Sequence, residues 1–196
     1  MLVKAQAMIH AASWLEETHG RDAVSRALSL CSRAVNDRYV TAITIEWHPI
    51  SELYEWLAAI ESAVGLGDGR TAYESGAYSA RVNTRGVMKR SLFYLSSPEY
   101  LLRRITGLWT QFNQEGVMHL RHFDERRVSI ELADLPLPNQ LLCASITGWI
   151  HVTAEAVGAR GARVEHKQCR ARGHTKCMFE VIWNAKNGEN DAHPSR

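Results

Sequence analysis

The stretch from Ala162 to Trp183, ARVEHKQCRARGHTKCMFEVIW, constrains this chain more than any other. Its second half puts Cys177, Phe179, Val181 and Trp183 on one face at period two, the mark of a half-buried strand. Between the two apolar-bearing runs lies a turn-like segment, Arg170 to Lys176. Gly173 inside it can supply the positive φ of a tight connection. The pattern predicts a β-hairpin with a cysteine at each mouth of its loop, Cys169 and Cys177. An antiparallel pairing brings those thiols together. With His166, and with Cys143 on a preceding helix, they form the constellation that suggests site chemistry.

The rest of the chain reads as helices followed by a hairpin, a helix and the final hairpin. Val3, Ala7, Ala11, Trp14, Leu15 and Thr18 mark one helix face, stopped at Gly20. Val24, Ala27, Leu28, Cys31, Ala34 and Val35 read as a second helix, with Cys31 as a small buried hydrophobe. Tyr39 to Trp47 is rich in β-branched residues and reads as extended, broken by His48-Pro49. Ser51 reads as the cap of a helix carrying Leu53, Trp56, Leu57, Ile60 and Val64. Gly65, Gly67 and Gly69 form a loop that lacks the lysine of a phosphate-binding loop.

Asp68 caps a further helix, about 70–82, whose Ala72, Ser75, Gly76, Ser79 and Ala80 are small enough for close helix packing. Ser97-Pro98-Glu99 is a helix start. It leads into the apolar stripe Leu101, Leu102, Ile105, Leu108, Trp109 and Phe112. Val117 to Phe123 and Arg127 to Ala133 read as two strands. Asn139 opens a helix that carries Leu142, Ile146, Trp149 and Ile150 and stops at Gly158. Two hairpins favour an antiparallel sheet, hence an α+β class. We expect one domain over residues 1–184, helical to about 115 and hairpin–helix–hairpin from about 116. A polar tail, 185–196, follows.

Composition excludes little but is consistent with this picture. The 196 residues suffice for one domain with a real core. A net charge of +2 forces no nucleic-acid footprint, and no apolar run approaches the roughly 18 residues of a membrane helix. The N-terminus lacks the apolar core and cleavage site of a signal peptide, so the expected compartment is the cytoplasm. Four cysteines there are expected as thiols or metal ligands.

The run Cys169-Arg170-Ala171-Arg172-Gly173-His174-Thr175-Lys176-Cys177, followed by Phe179-Glu180-Val181, resembles the C-terminal hairpin of the 4-vinyl reductase domain family. That family includes sensor domains of aromatic-responsive bacterial transcription activators. It is related in fold to subunits of the TRAPP tethering complex and, more remotely, to heme-based nitric-oxide sensors. The specific match covers about residues 143–183. In aromatic-sensing members three cysteines and a carboxylate hold a structural zinc. The resemblance implies ligands at Cys143, Cys169 and Cys177, with His166 standing at or near the carboxylate position and Glu165 adjacent as the alternative.

The residue types suit zinc, which takes about four thiolate and imidazole ligands. Residues 166 and 169 of a regular strand point to opposite faces, so a bulge or the onset of the turn must re-aim one of them. Buried thiols beside a hydrogen-bonded histidine are the competing reading, and a disulfide is the third.

Trp109, Phe112 and Trp149 are the aromatics expected to face a shared interior. They are there either as ordinary core or as the wall of a pocket for a hydrophobic or aromatic small molecule. Heme nitric-oxide sensors carry a Tyr-x-Ser-x-Arg signature. Tyr78-Ser79-Ala80-Arg81 misses its spacing, so no heme is expected. His119, His122 and His151 read as structural. No recognisable nucleophile motif is present.

The expectation is a non-catalytic sensor or interaction domain, paired as a homodimer and acting through a protein partner. The alternatives are a TRAPP-like scaffold with a filled core and an enzyme acting on a tetrapyrrole-like substrate.

Overall fold

The computed structural model describes residues 1–85, 107–124 and 126–184. The helix start at Ser97-Pro98-Glu99, its stripe through Leu101, Leu102 and Ile105, and the polar tail lie outside the described residues. The chain opens with β1 (Leu2–Lys4), α1 (Gln6–His19), α2 (Arg21–Ser29) and α3 (Arg33–Thr41). It continues through β2 (Trp47–Pro49), α4 (Ile50–Val64) and α5 (Arg70–Arg85). Residues 107–112 are helical. Then come β3 (Val117–Asp124), β4 (Arg127–Ala133), α6 (Gln140–Ala156), β5 (Arg163–Gln168) and β6 (Cys177–Ile182).

The two hairpins join into one antiparallel sheet of order β3-β4-β6-β5. Their register pairs Leu132 with Cys177, Ile130 with Phe179 and Val128 with Val181. All six are buried, so the period-two pattern becomes the inner face of an α+β core. The positive φ expected of Gly173 is present, at 88°.

Three local readings change. The single helix expected over Val24–Val35 is broken. Ser32 accepts a hydrogen bond from the Val35 amide and caps α3 afresh, satisfying a free N–H of its first turn. Tyr39 therefore lies in α3 instead of an extended segment. His48 and Pro49 do not break the chain. They form β2, paired antiparallel with β1, and Pro49 rather than Ser51 precedes α4. Cys31 is only half-buried. Its thiol donates to the Ala27 carbonyl at 3.4 Å. Desolvation, and then the Glu55 carboxylate, push it up to about 11, which keeps it an inert thiol.

The small residues of α5 allow the close approach their size predicts. A methyl group on Gly76 would overlap the carbonyl of Ser145 in α6, and one on Gly148 would overlap the carbonyl of Tyr73. Helices α5 and α6 thus cross backbone against backbone.

One turn along α5 from Gly76, Ser79 meets the buried His10 of α1, whose Nδ1 lies 2.8 Å from the serine hydroxyl. Desolvation lowers the pKa of His10 below the ordinary 6.5. The unfolded chain therefore takes up this proton before the folded chain does. Stability from His10 is complete above about pH 6.5 and declines as the pH falls toward the folded value. Denaturant unfolding at pH 7.5 and 5.5 should show this loss, and His10→Gln should reduce it. An unchanged pH slope in the variant would assign the acid sensitivity elsewhere.

Candidate metal centre and cavity

Four side chains from three places meet at the end of the sheet. Cys143 lies in the first turn of α6, which Asn139 caps by accepting from the Leu142 amide at 3.0 Å. His166 is on β5, Cys169 directly follows that strand and Cys177 opens β6. Between His166 and Gln168 the β5–β6 register shifts. That irregularity lets residues of opposite strand parity converge.

The ligand atoms of Cys143, His166, Cys169 and Cys177 all lie within 4.8 Å of one another. Cys143 Sγ is 3.9 Å from Cys177 Sγ and 3.9 Å from Cys169 Sγ. These are not disulfide distances, which are about 2.05 Å. They match a zinc tetrahedron, whose Zn–S bonds of about 2.3 Å place sulfurs about 3.8 Å apart. His166 Nε2 is buried without a hydrogen-bond partner. Its ring stacks on Phe179, centroids 4.4 Å apart. A desolvated, unpaired ring nitrogen beside three thiols is costly unless a cation or proton takes it up.

The electrostatics favour thiolate here. The Cys143 thiol, then the nearby His166 ring and the Arg170 amide, hold the Cys177 thiol well below its usual range. The same contact with Cys177, together with burial, pushes Cys143 up. The pair thus shares one proton. Around the cluster, the Arg170 guanidinium donates to the Leu135 carbonyl. Gln140 Nε2 donates to the Ala171 carbonyl at 3.5 Å. The hairpin turn is tied to the segment that leads into α6. Four protein ligands leave no open position, so the chemistry such a site supplies is structural.

Trp109, Phe112 and Trp149 share the wall of a cavity of about 90 Å³. Helix α6 supplies Leu142, Ser145, Ile146 and Trp149 to this wall and Cys143 to the cluster. Trp109 is fixed by its indole N–H, which donates to the Glu115 carbonyl at 3.1 Å. The sequence reading missed the polar part of the lining, which includes Gln6, Ser79 and Asn83. No periodicity links α1 to α5, and the usable signal was the run of small and polar residues on α5.

No protein-family model matches the chain, and no curated protein does either. Solved structures do match. The Fe(II) unliganded H-NOX protein from K. algicida aligns with a TM-score of 0.71 at 10% identity, over 94% of this chain and 98% of that one. An H-NOX protein from S. oneidensis aligns at 0.69 and 12%, over 94% and 98%. A structure titled as probing heme distortion in the H-NOX family aligns at 0.69 and 12%, over 97% and 100%. The fold is that of H-NOX domains.

This corrects the expectation that no heme is bound. The H-NOX fold occurs in proteins titled for their heme, so a missed Tyr-x-Ser-x-Arg spacing does not set heme aside. The described lining, however, does not fit a heme iron. It contains no histidine, cysteine or tyrosine, and Met118 is its one soft donor.

Proposed function

We propose that this chain is a non-catalytic small-molecule-binding sensor domain on an H-NOX fold. In this reading the cavity takes the ligand and the four-residue cluster holds one structural zinc. The observation that carries the reading is the cavity walled by Trp109, Phe112 and Trp149 beside the helix that also carries Cys143. A filled-core scaffold has no use for such a space. The cysteine cluster supports kinship with the 4-vinyl reductase sensors. No carboxylate, imidazole or thiol is among the described residues of the lining, which supports binding over catalysis. Because α6 touches both sites, a ligand that shifts α6 also shifts the clamped hairpin, and this is the route to a protein partner. The exposed apolar side chains Val40, Ile43 and Ile45 support pairing of two chains.

Native mass spectrometry and the visible absorption spectrum of freshly purified protein test the reading together. The expected result is zinc plus a bound small molecule, and the spectrum reports whether heme is present. Ala7 lines the cavity, and Ala7→Phe should fill it and abolish uptake while zinc stays. Protein that takes up no apolar ligand, and that Ala7→Phe only stabilises, would be a scaffold.

A further inference from the structure

The segment from Arg170 to Lys176 joins two residues of the cluster, Cys169 and Cys177, and Arg170 ties it down twice. Its backbone N–H donates to Cys177 Sγ at 3.3 Å, across the mouth of the turn. Its guanidinium donates to the Leu135 carbonyl, in the segment that leads into α6. The Cys169 carbonyl accepts from the Arg172 amide at 3.0 Å and from the His174 amide at 3.1 Å. The turn is therefore a closed unit that moves as one piece with its anchors.

Three thiolates carry one more negative charge than Zn²⁺ neutralises, and His166 adds a neutral ligand. That excess rests on sulfurs that are all buried. Buried charge is costly unless hydrogen bonds meet it. Among the described residues, the Arg170 amide is the one backbone N–H that donates to a cluster sulfur. The four ligands also differ in backbone support. Cys143 sits in a helix, and His166 and Cys177 in paired strands. Cys169 alone lies beyond its strand, in the turn, so the cluster opens most easily there. The guanidinium tie to Leu135 resists that opening.

From this we infer that Arg170 is the positioning residue of the cluster: its amide steadies the Cys177 thiolate, its guanidinium latches the turn, and together they set how fast bound metal is extracted. The inference rests on the reading that the cluster holds zinc. The two ties separate by substitution. Cys169 has φ −138° and ψ 123°, the extended conformation that a following proline requires. Arg170 opens the short helical turn Arg170–Arg172, where the fixed φ of proline fits. Arg170→Ala removes the guanidinium tie and keeps the amide. Arg170→Pro removes both without redirecting the chain.

The test loads the full chain with Co²⁺ or Zn²⁺. It records the sulfur-to-cobalt charge-transfer band and times zinc loss to the chelator pyridylazo-resorcinol. Arg170→Ala should release zinc about tenfold faster than the parent with the band unmoved. Arg170→Lys can still donate to the Leu135 carbonyl and should recover part of that loss. Arg170→Pro should release zinc faster still and move the band to lower energy, because a sulfur without its hydrogen bond gives up electrons more readily. The exposed Arg172 has no side-chain partner among the described residues, so Arg172→Ala should match the parent. Parent-like release from Arg170→Ala, or equal acceleration by Arg172→Ala, would overturn the latch and leave the zinc reading intact. An unmoved band in Arg170→Pro would overturn the role of the amide. If Arg170→Pro fails to fold, the alanine and lysine variants still decide the latch. Parent protein that binds neither metal would remove the zinc reading, and this inference with it.

Discussion

Protein purified without a polyhistidine tag should carry one zinc per chain, and stripping it with a chelator should lower the melting temperature by about 10 °C or more. Structural zinc sites are worth apparent binding free energies of about 10–16 kcal/mol in small peptides at neutral pH. Here the sheet and helices have a core of their own, so only part of that appears as stability. A loss of about 4 kcal/mol already shifts the melting temperature of a chain this size by roughly 8–16 °C. The geometry explains why the loss is large. Without a cation, three sulfurs and the unpartnered His166 Nε2 remain crowded and dry.

Cys169→Ser and Cys177→Ser should reproduce the effect of the chelator and abolish its further action. His166→Ala should retain some zinc, with a water or the neighbouring Glu165 completing the shell, at the added loss of the ring stacked on Phe179. Metal-free protein from zinc-supplemented cells, with the same melting temperature before and after chelator, would reduce the cluster to buried thiols.

What could be read from the residues follows how local each signal is. The terminal hairpin was legible because Cys177, Phe179 and Val181 alternate against polar neighbours and Gly173 marks the turn. The meeting of Cys143 with that hairpin needed a family resemblance, since a helix and a strand 26 or 34 residues apart share no periodicity. The β1–β2 pair was invisible for the same reason. Three-residue strands separated by three helices carry no pattern. The break before α3 was hidden because the apolar stripe runs through it, and only the Ser32 cap interrupts the helix. Heme was dismissed on the spacing of a signature around Tyr78. The fold rests on burial along the whole chain, so a short motif could not decide it. Gln6 and Asn83 meet across 77 positions, and no reading of either helix alone joins them.

Gly76→Ala and Gly148→Ala should each destabilise the protein by several kcal/mol, the largest effect expected of adding a single methyl group anywhere in α5 or α6. In an isolated helix the same change would stabilise by about 1 kcal/mol, because alanine is the better helix former. The sign reverses here because of the neighbour. A Cβ on Gly76 meets the carbonyl oxygen, carbon and Cα of Ser145, and a Cβ on Gly148 meets the carbonyl of Tyr73 and the amide of Ala77. All of these are backbone atoms, so no rotamer change relieves the overlap. The helices must move apart, and cores resist such expansion.

Gly76 and Ser145 also line the cavity, so separation at this crossing enlarges or distorts the ligand site. Cys143 is two residues from Ser145 on the same helix, so the strain reaches the metal cluster. The two variants should therefore bind zinc more weakly as well as melt earlier. Gly107→Ala is the control, since a Cβ there meets nothing within 4 Å. Thermal unfolding and zinc content of the three variants decide the matter. If Gly76→Ala and Gly148→Ala melt within about 2 °C of the parent, the α5–α6 crossing is looser than described, and α6 does not mechanically join the cavity to the cluster.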